Sequence, residues 1–183
     1  MNYSISEHIT PEEKMDLFTQ VDEITFEFVQ WVNTFSEEEM NRIVSEGGWT
    51  PAQIADHVRK SNNGIAQAFQ MSGVDSERAP DARVNELNTV FMDFTKKLES
   101  PKFILPEETV YNKTELIEGL KRSIDRIRQE RGNAQLGEII HLSALGTISK
   151  LELLHFVVVH TKRHINQLKN IYQKIKNETN DTD

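Results

Sequence analysis

Three histidines, His57, His160 and His164, carry the chemistry that this sequence brings to notice. His160 and His164 form an H-x-x-x-H pair within VVVHTKRHINQL. In a helix that spacing stacks two side chains on one face, one turn apart. Two imidazoles so placed can point at one metal ion, and His57, from a second helix, would complete a facial set. Three imidazoles on a divalent ion leave a position open for water or substrate, as in catalytic zinc-type sites.

The pair lies in a telling place. On the predicted last helix, Leu153, Val157, His160, His164, Leu168, Ile171 and Ile175 fall on one stripe, so the histidines replace apolar residues in a core-facing line. A buried imidazole nitrogen without a partner costs about 1–3 kcal/mol. A shared metal ion relieves that cost, and so does a hydrogen-bond network; the residues alone leave both open. His57 stands at the border of another helix's apolar stripe, where a bundle core would receive it.

Other candidates fit less well. His8 falls in a start expected to be disordered. His141 sits in a loop before the last helix, where a structural role is the simpler reading. His155 points away from His160, since five residues turn a helix by roughly 500°. Glu27, Glu138 and Glu152 are candidates to support ligand imidazoles from behind, with solvated or capping roles as the alternative. Asp56 is expected to face solvent. No G-x-S-x-G elbow, P-loop, Rossmann glycine pattern or H-E-x-x-H motif competes.

The elements that must position these residues announce themselves by capping signals. Thr10-Pro11-Glu12-Glu13 opens a helix whose apolar residues Leu17, Val21, Ile24, Phe28, Trp31 and Phe35 recur at three- and four-residue spacing. Ser36 with Glu39 offers a short capped turn. Thr50, Pro51 and Gln53 open a second long helix, stapled by Trp49 and Ile54, that fades near Gly73. A helix over Ala82–Leu98 is expected next, then an extended stretch imposed by Pro101 and Pro106. Asn112 with Glu115 opens the third long helix, which runs to about Arg131. Gly137 and Gly146 bracket the His141 loop. Ser149 with Glu152 opens the last helix, expected to end near Asn177, with a disordered tail over 179–183.

No strand alternation of any length is visible. Four long helices with one long crossover between the second and third predict an all-α four-helix bundle, with an irregular all-α domain as the alternative. The 183 residues suit one domain over 1–183. With 37% hydrophobic and 27% charged residues the chain is of ordinary globular composition, and no apolar run approaches the roughly 18–20 residues of a membrane span. The start, MNYSISEHITPEEK, has no basic region and apolar core, so no export signal and a cytoplasmic location are expected. A net charge of −8 disfavours nucleic acid and anionic membranes as partners. The one basic stretch, KRSIDRIRQER over 121–131, reads as a solvated, salt-bridged helix face. Without cysteine there is no disulfide, thiolate ligand or cysteine nucleophile.

Two segments, GGWTPAQIADHV and HLSALGTISKLELLHFVVVHTKRHINQL, resemble the DinB-like superfamily of bacterial metal-binding bundles, which includes bacillithiol transferase and mycothiol-dependent isomerases. That family's pattern has a Trp opening the second helix and a His eight residues later, here Trp49 and His57. It then has a loop of the form H-P-x-x-G and an aromatic-rich helix with H-x-x-x-H followed by Gln. Here those are His141, Gly146, Phe156, His160, His164 and Gln167, with Leu142 in place of the proline. The resemblance extends over roughly Met15 to Ile175.

It implies an up-down-down-up bundle, usually a homodimer. It also implies one divalent metal ion per chain on His57, His160 and His164, with zinc, nickel, manganese and iron as the choices. The activity implied is a transferase that activates a low-molecular-weight thiol of the bacillithiol or glutathione class toward a small-molecule substrate. A hydrolase using metal-activated water, or a non-catalytic metal-stabilised bundle that binds a small molecule, are the alternatives.

Overall fold

The computed structural model of the protein describes residues 9–180. His8 and the tail residues 181–183 lie outside the described residues. Helix α1 spans Pro11–Thr34, α2 Glu37–Met40, α3 Pro51–Gln70, α4 Val84–Met92, α5 Lys113–Asn133 and α6 Lys150–Asn180. The caps are those expected. Thr10, Ser36 and Thr50 each accept from the backbone N–H three residues on and donate their own backbone N–H to the glutamate or glutamine side chain there. Ser149 and Glu152 make the same pair of bonds at the start of α6, which runs past the expected end near Asn177 to Asn180.

Partner residues fix the helix directions. Along α1 and α6, Glu27 meets Lys169 and Trp31 meets Tyr172, so the two helices are parallel. Along α3 and α5, Asn62 meets Ser123 and Asn63 meets Arg126, again parallel. Between α1 and α5 the order reverses: Asp22 meets Arg128, while Phe35 meets Lys113. The four long helices therefore run up, down, down, up, and their inner faces bury one apolar core that includes Phe28, Phe35, Ile54, Leu120, Ile127, Leu154 and Leu168. Among the described residues, no helix is long and apolar enough to cross a membrane.

The crossover between α3 and α5 differs from the expectation. The helix predicted over Ala82–Leu98 is confined to Val84–Met92. It stops because Asp93 turns its carboxylate onto the N–H and hydroxyl of Thr95, a local bond that competes with helix. Arg163 of α6 then takes the carbonyls of Phe91, Asp93 and Lys96. A 3-10 turn, Lys102–Ile104, packs farther along on α3.

The His141 loop is also more ordered than expected. It is a hairpin of two antiparallel strands, β1 (Ile139–Leu142) and β2 (Gly146–Ser149). Strands of four residues are too short to show alternation, and the neighbours Ile139 and Ile140 are both buried, which breaks the pattern. Gly146 closes the turn at φ 69°, where other residues are disfavoured. The basic stretch over 121–131 is salt-bridged as expected through Arg122–Glu118 and Arg128–Asp22. Arg131 departs from a solvated face: it is buried, pairs with Asp22 and stacks on Phe18.

Glu152 ties crossover, hairpin and α6 together. Its carboxylate is wholly buried, receives both Nη atoms of Arg78 at 2.6 and 2.8 Å, and accepts the Arg83 and Ser149 backbone N–H groups. Removing one partner of a buried ion pair leaves an uncompensated charge. Arg78→Met is therefore expected to lower the free energy of unfolding by about 3 kcal/mol, measured by urea denaturation. A loss no larger than that of an exposed substitution, about 0.5 kcal/mol, would show that the pair does not anchor the crossover.

Candidate metal centre

α3 and α6 bring the three histidines together. The Thr50 cap and Pro51 start α3 so that its second turn faces α6, and His57 there is 2% exposed. His160 and His164, each 5% exposed, occupy the buried stripe of α6 between Val157 and Leu168. His57 Nε2 lies 3.1 Å from His160 Nε2, and His164 Nε2 lies 3.0 Å from it. One ligand atom from each of the three residues lies within 4.8 Å of the others, and among the described residues no carboxylate joins the cluster.

The hydrogen bonds behind the rings determine what these nitrogens present. His57 Nδ1–H donates to the Ile104 carbonyl at 2.9 Å. His164 Nδ1–H donates to Gln167 Oε1 at 2.7 Å. Both rings, when neutral, therefore carry a lone pair on Nε2. These two lone pairs face His160 Nε2, which has at most one proton to donate. A single N–H cannot be well aligned with both acceptors, so hydrogen bonding alone leaves the cluster short of a donor.

A cation satisfies all three. Imidazole nitrogens at about 2.0–2.1 Å from a common ion stand roughly 2.8–3.4 Å apart for right to tetrahedral angles. The two Nε2 separations of 3.0 and 3.1 Å lie in that range. The donor set, three neutral nitrogens backed by a carbonyl and an amide, is of the kind used for divalent transition metals.

Electrostatics hold the rings neutral. Burial pushes the His164 pKa down to about 3, with further lowering from His57 and Arg163 that outweighs the Gln167 bond. Burial, then His164, His57 and Arg163, push His160 well below the ordinary imidazole range. Burial also lowers His57, against the Ile104 bond and Asp56, which raise it. Aromatic rings wall the cluster: Trp49 lies 4.9 Å from the His57 ring centre, Phe156 stacks on His160 at 5.0 Å, and Phe91 meets both Phe156 and His160 edge-on.

The other candidates lie elsewhere. His141 is exposed on the hairpin, opposite Thr147. His155 is half-buried, near Asp81 and Glu152. Glu27 pairs with Lys169, Glu138 with Lys150, and Glu152 with Arg78; none supports a ligand imidazole. Asp56 corrects the expectation of a solvent-facing carboxylate. It is 1% exposed and bound by Arg59, Lys60 and Tyr111. The Asp56–Lys60 spacing of four was a visible sign that this carboxylate had a partner on its own helix. The Ile104 carbonyl had no such sign, because a backbone acceptor in an irregular crossover leaves no mark on residue type.

Comparison with known proteins agrees with this architecture. The family model of the DinB superfamily matches residues 20–168, and the chain belongs to that superfamily. A curated relative, the uncharacterized protein YuaE of Bacillus subtilis (strain 168), is 23% identical over 152 residues, covering 77% of this chain and 88% of that protein. Among solved structures, YfiT from Bacillus subtilis, a probable metal-dependent hydrolase with an unusual four-helix bundle topology, superposes with a TM-score of 0.66 at 15% identity. That match covers 96% of this chain and 94% of YfiT. TT2238, a four-helix bundle protein, gives a TM-score of 0.58 at 14% identity over 86% of this chain and 98% of that one.

The depressed histidine pKa values have a consequence for the metal-free protein. His164 titrates near 3 when folded and near 6.5 when unfolded. Below pH 6.5 the unfolded chain therefore binds the extra proton, and folded stability falls as pH falls toward 3. Between pH 6.5 and 5 each such histidine contributes a slope approaching about 1.4 kcal/mol per pH unit. In chelator-treated protein, His164→Leu is expected to flatten the pH dependence of the urea midpoint across that window. Equal slopes in the two proteins would refute the assignment of a neutral, buried His164.

Proposed function

We propose that this chain is a divalent-metal-dependent enzyme acting on a small-molecule substrate with the help of a low-molecular-weight thiol. In this reading His57, His160 and His164 hold one ion, zinc, nickel, manganese or iron, through their Nε2 atoms. The observation that carries it is the convergence of the His57 and His164 Nε2 atoms on His160 Nε2, at 3.1 and 3.0 Å, with both lone pairs fixed from behind. A divalent ion there would act as a Lewis acid that lowers the pKa of a further ligand, thiol or water.

The chain's own residues favour the thiol. Three neutral ligands leave the ion's charge uncancelled, which suits an anionic partner. The protein has no cysteine, so a sulfur nucleophile would come from outside, an absence that fits hydrolysis equally. No carboxylate joins the histidine cluster among the described residues, and Asp56 is turned into Arg59, Lys60 and Tyr111. A thiol of pKa about 8.5 needs far less help to lose its proton than water does. In the overall reaction the sulfur bonds to an electrophilic carbon, the leaving group departs with its electron pair, and the thiol proton passes to solvent.

A second reading, metal-dependent hydrolysis, draws on the similarity to YfiT. The protein as purified is expected to carry about one divalent ion per chain, lost in His160→Ala and on acidification. Elemental analysis measures this directly, and a metal-free protein indifferent to added ions would end both readings. With metal present, turnover of monobromobimane that depends on added thiol supports transfer. Turnover of p-nitrophenyl acetate without thiol supports hydrolysis. Metal that raises the melting temperature without either turnover identifies a binding protein.

A further inference from the structure

Asp56 precedes His57 on α3 and gathers three side chains. Its Oδ1 accepts from Arg59 Nε at 3.0 Å and Nη2 at 2.6 Å. Lys60 Nζ lies 3.1 Å from Oδ2, and the Tyr111 hydroxyl donates to Oδ2 at 3.0 Å. Burial pushes the Asp56 carboxyl up, but the Arg59 and Lys60 bonds outweigh it and keep the group below the usual carboxylate range.

Two of these three partners also grip the crossover. Lys60 Nζ donates to the Leu105 carbonyl at 2.9 Å. Tyr111 Oη accepts from the Glu107 backbone N–H at 2.8 Å. Tyr111 is itself pinned, since its N–H donates to Asn41 Oδ1 at 2.8 Å and its carbonyl accepts from Asn41 Nδ2 at 3.0 Å. The residue next to Leu105 is Ile104, whose carbonyl takes the His57 Nδ1 proton. On its other side this carbonyl closes the three-residue turn Lys102–Ile104, which packs on α3. If the segment slipped, His57 would lose the acceptor that places its proton on Nδ1, and the proton would be free to occupy Nε2 instead.

We propose that Asp56, acting through Lys60 and Tyr111, is a positioning residue that holds the Ile104 carbonyl over His57 and so presets the His57 Nε2 lone pair for a metal ion. The consequence for metal rests on the reading above; the tautomer does not. Asp56 touches no ligand nitrogen and works only through the crossover it fastens.

The test uses full-length protein with 15N-labelled histidine. Without metal, His57 is expected as the Nδ1–H tautomer, read from its ring nitrogen shifts. Lys60→Met and Tyr111→Phe each cut a tie to the crossover while leaving Asp56 in place. They are expected to mix the tautomers and to weaken Zn2+ binding, measured by chelator competition, about 10- to 100-fold. Asp56→Asn should do both more strongly; if it does not fold, the other two variants decide. Arg59→Gln removes the partner whose hydrogen bonds, among the described residues, go to Asp56 alone, and is expected to keep the tautomer. An unchanged tautomer in both Lys60→Met and Tyr111→Phe overturns the proposal, as does an equal shift in Arg59→Gln. A wild type with the Nδ1–H tautomer that takes up no Zn2+ would refute the metal reading while leaving the positioning of His57 intact.

Discussion

Two lone pairs aimed at one imidazole nitrogen inside a helix bundle form the constraint on which the rest of this structure turns. His57 and His164 give up their only ring proton to acceptors behind them, so their Nε2 atoms reach His160 as bases. Such an arrangement is unfavourable in a dry core unless something electropositive joins it. Arg163, the cation that bears on both His160 and His164, spends its Nη donors on the carbonyls of Phe91, Asp93 and Lys96 instead. The protein thus keeps three bases together where an apolar stripe would pack without cost. Holding a metal ion explains that choice better than packing does.

The parallel pairing of α3 with α5 makes the site possible. Because those helices run the same way, the chain must return along the bundle between them, and the returning crossover passes over the histidines. It is fastened there by residues of the ligand-bearing helices. Arg163, between His160 and His164, holds the end of α4, while His57 and Lys60 hold Ile104 and Leu105. An up-and-down bundle with short loops would have no segment available for this role. The topology and the metal centre are therefore two aspects of one arrangement.

What the sequence revealed follows the range of the interactions. Capping boxes at Thr10, Ser36, Thr50 and Ser149 join residues three apart, and each was legible because both partners lie within one turn. The H-x-x-x-H pair was legible for the same reason. His57 was placed by its helix stripe and, more firmly, by the Trp49-to-His57 interval of the family pattern. What escaped involves partners far apart in the chain. The docking of the end of α4 depends on Arg163, some seventy residues away, the burial of Asp56 on Tyr111, and the His57 tautomer on a backbone carbonyl. Periodicity is blind to all three. The hairpin escaped because two four-residue strands are stabilised by pairing with each other and with Val74, not by any pattern of their own.

The use of backbone carbonyls to dock the crossover separates two tasks. Arg163, Lys60 and His57 all donate to main-chain oxygens, which every residue type supplies. Although Arg78 and Tyr111 anchor the crossover with their side chains, several of its large apolar side chains, Phe94, Phe103 and Leu105 among them, are left exposed. A chain built this way can change the residues that meet a substrate without disturbing the residues that hold an ion. The reverse does not hold. His57 serves both the cluster and its cover, so a substitution there disturbs two structures at once.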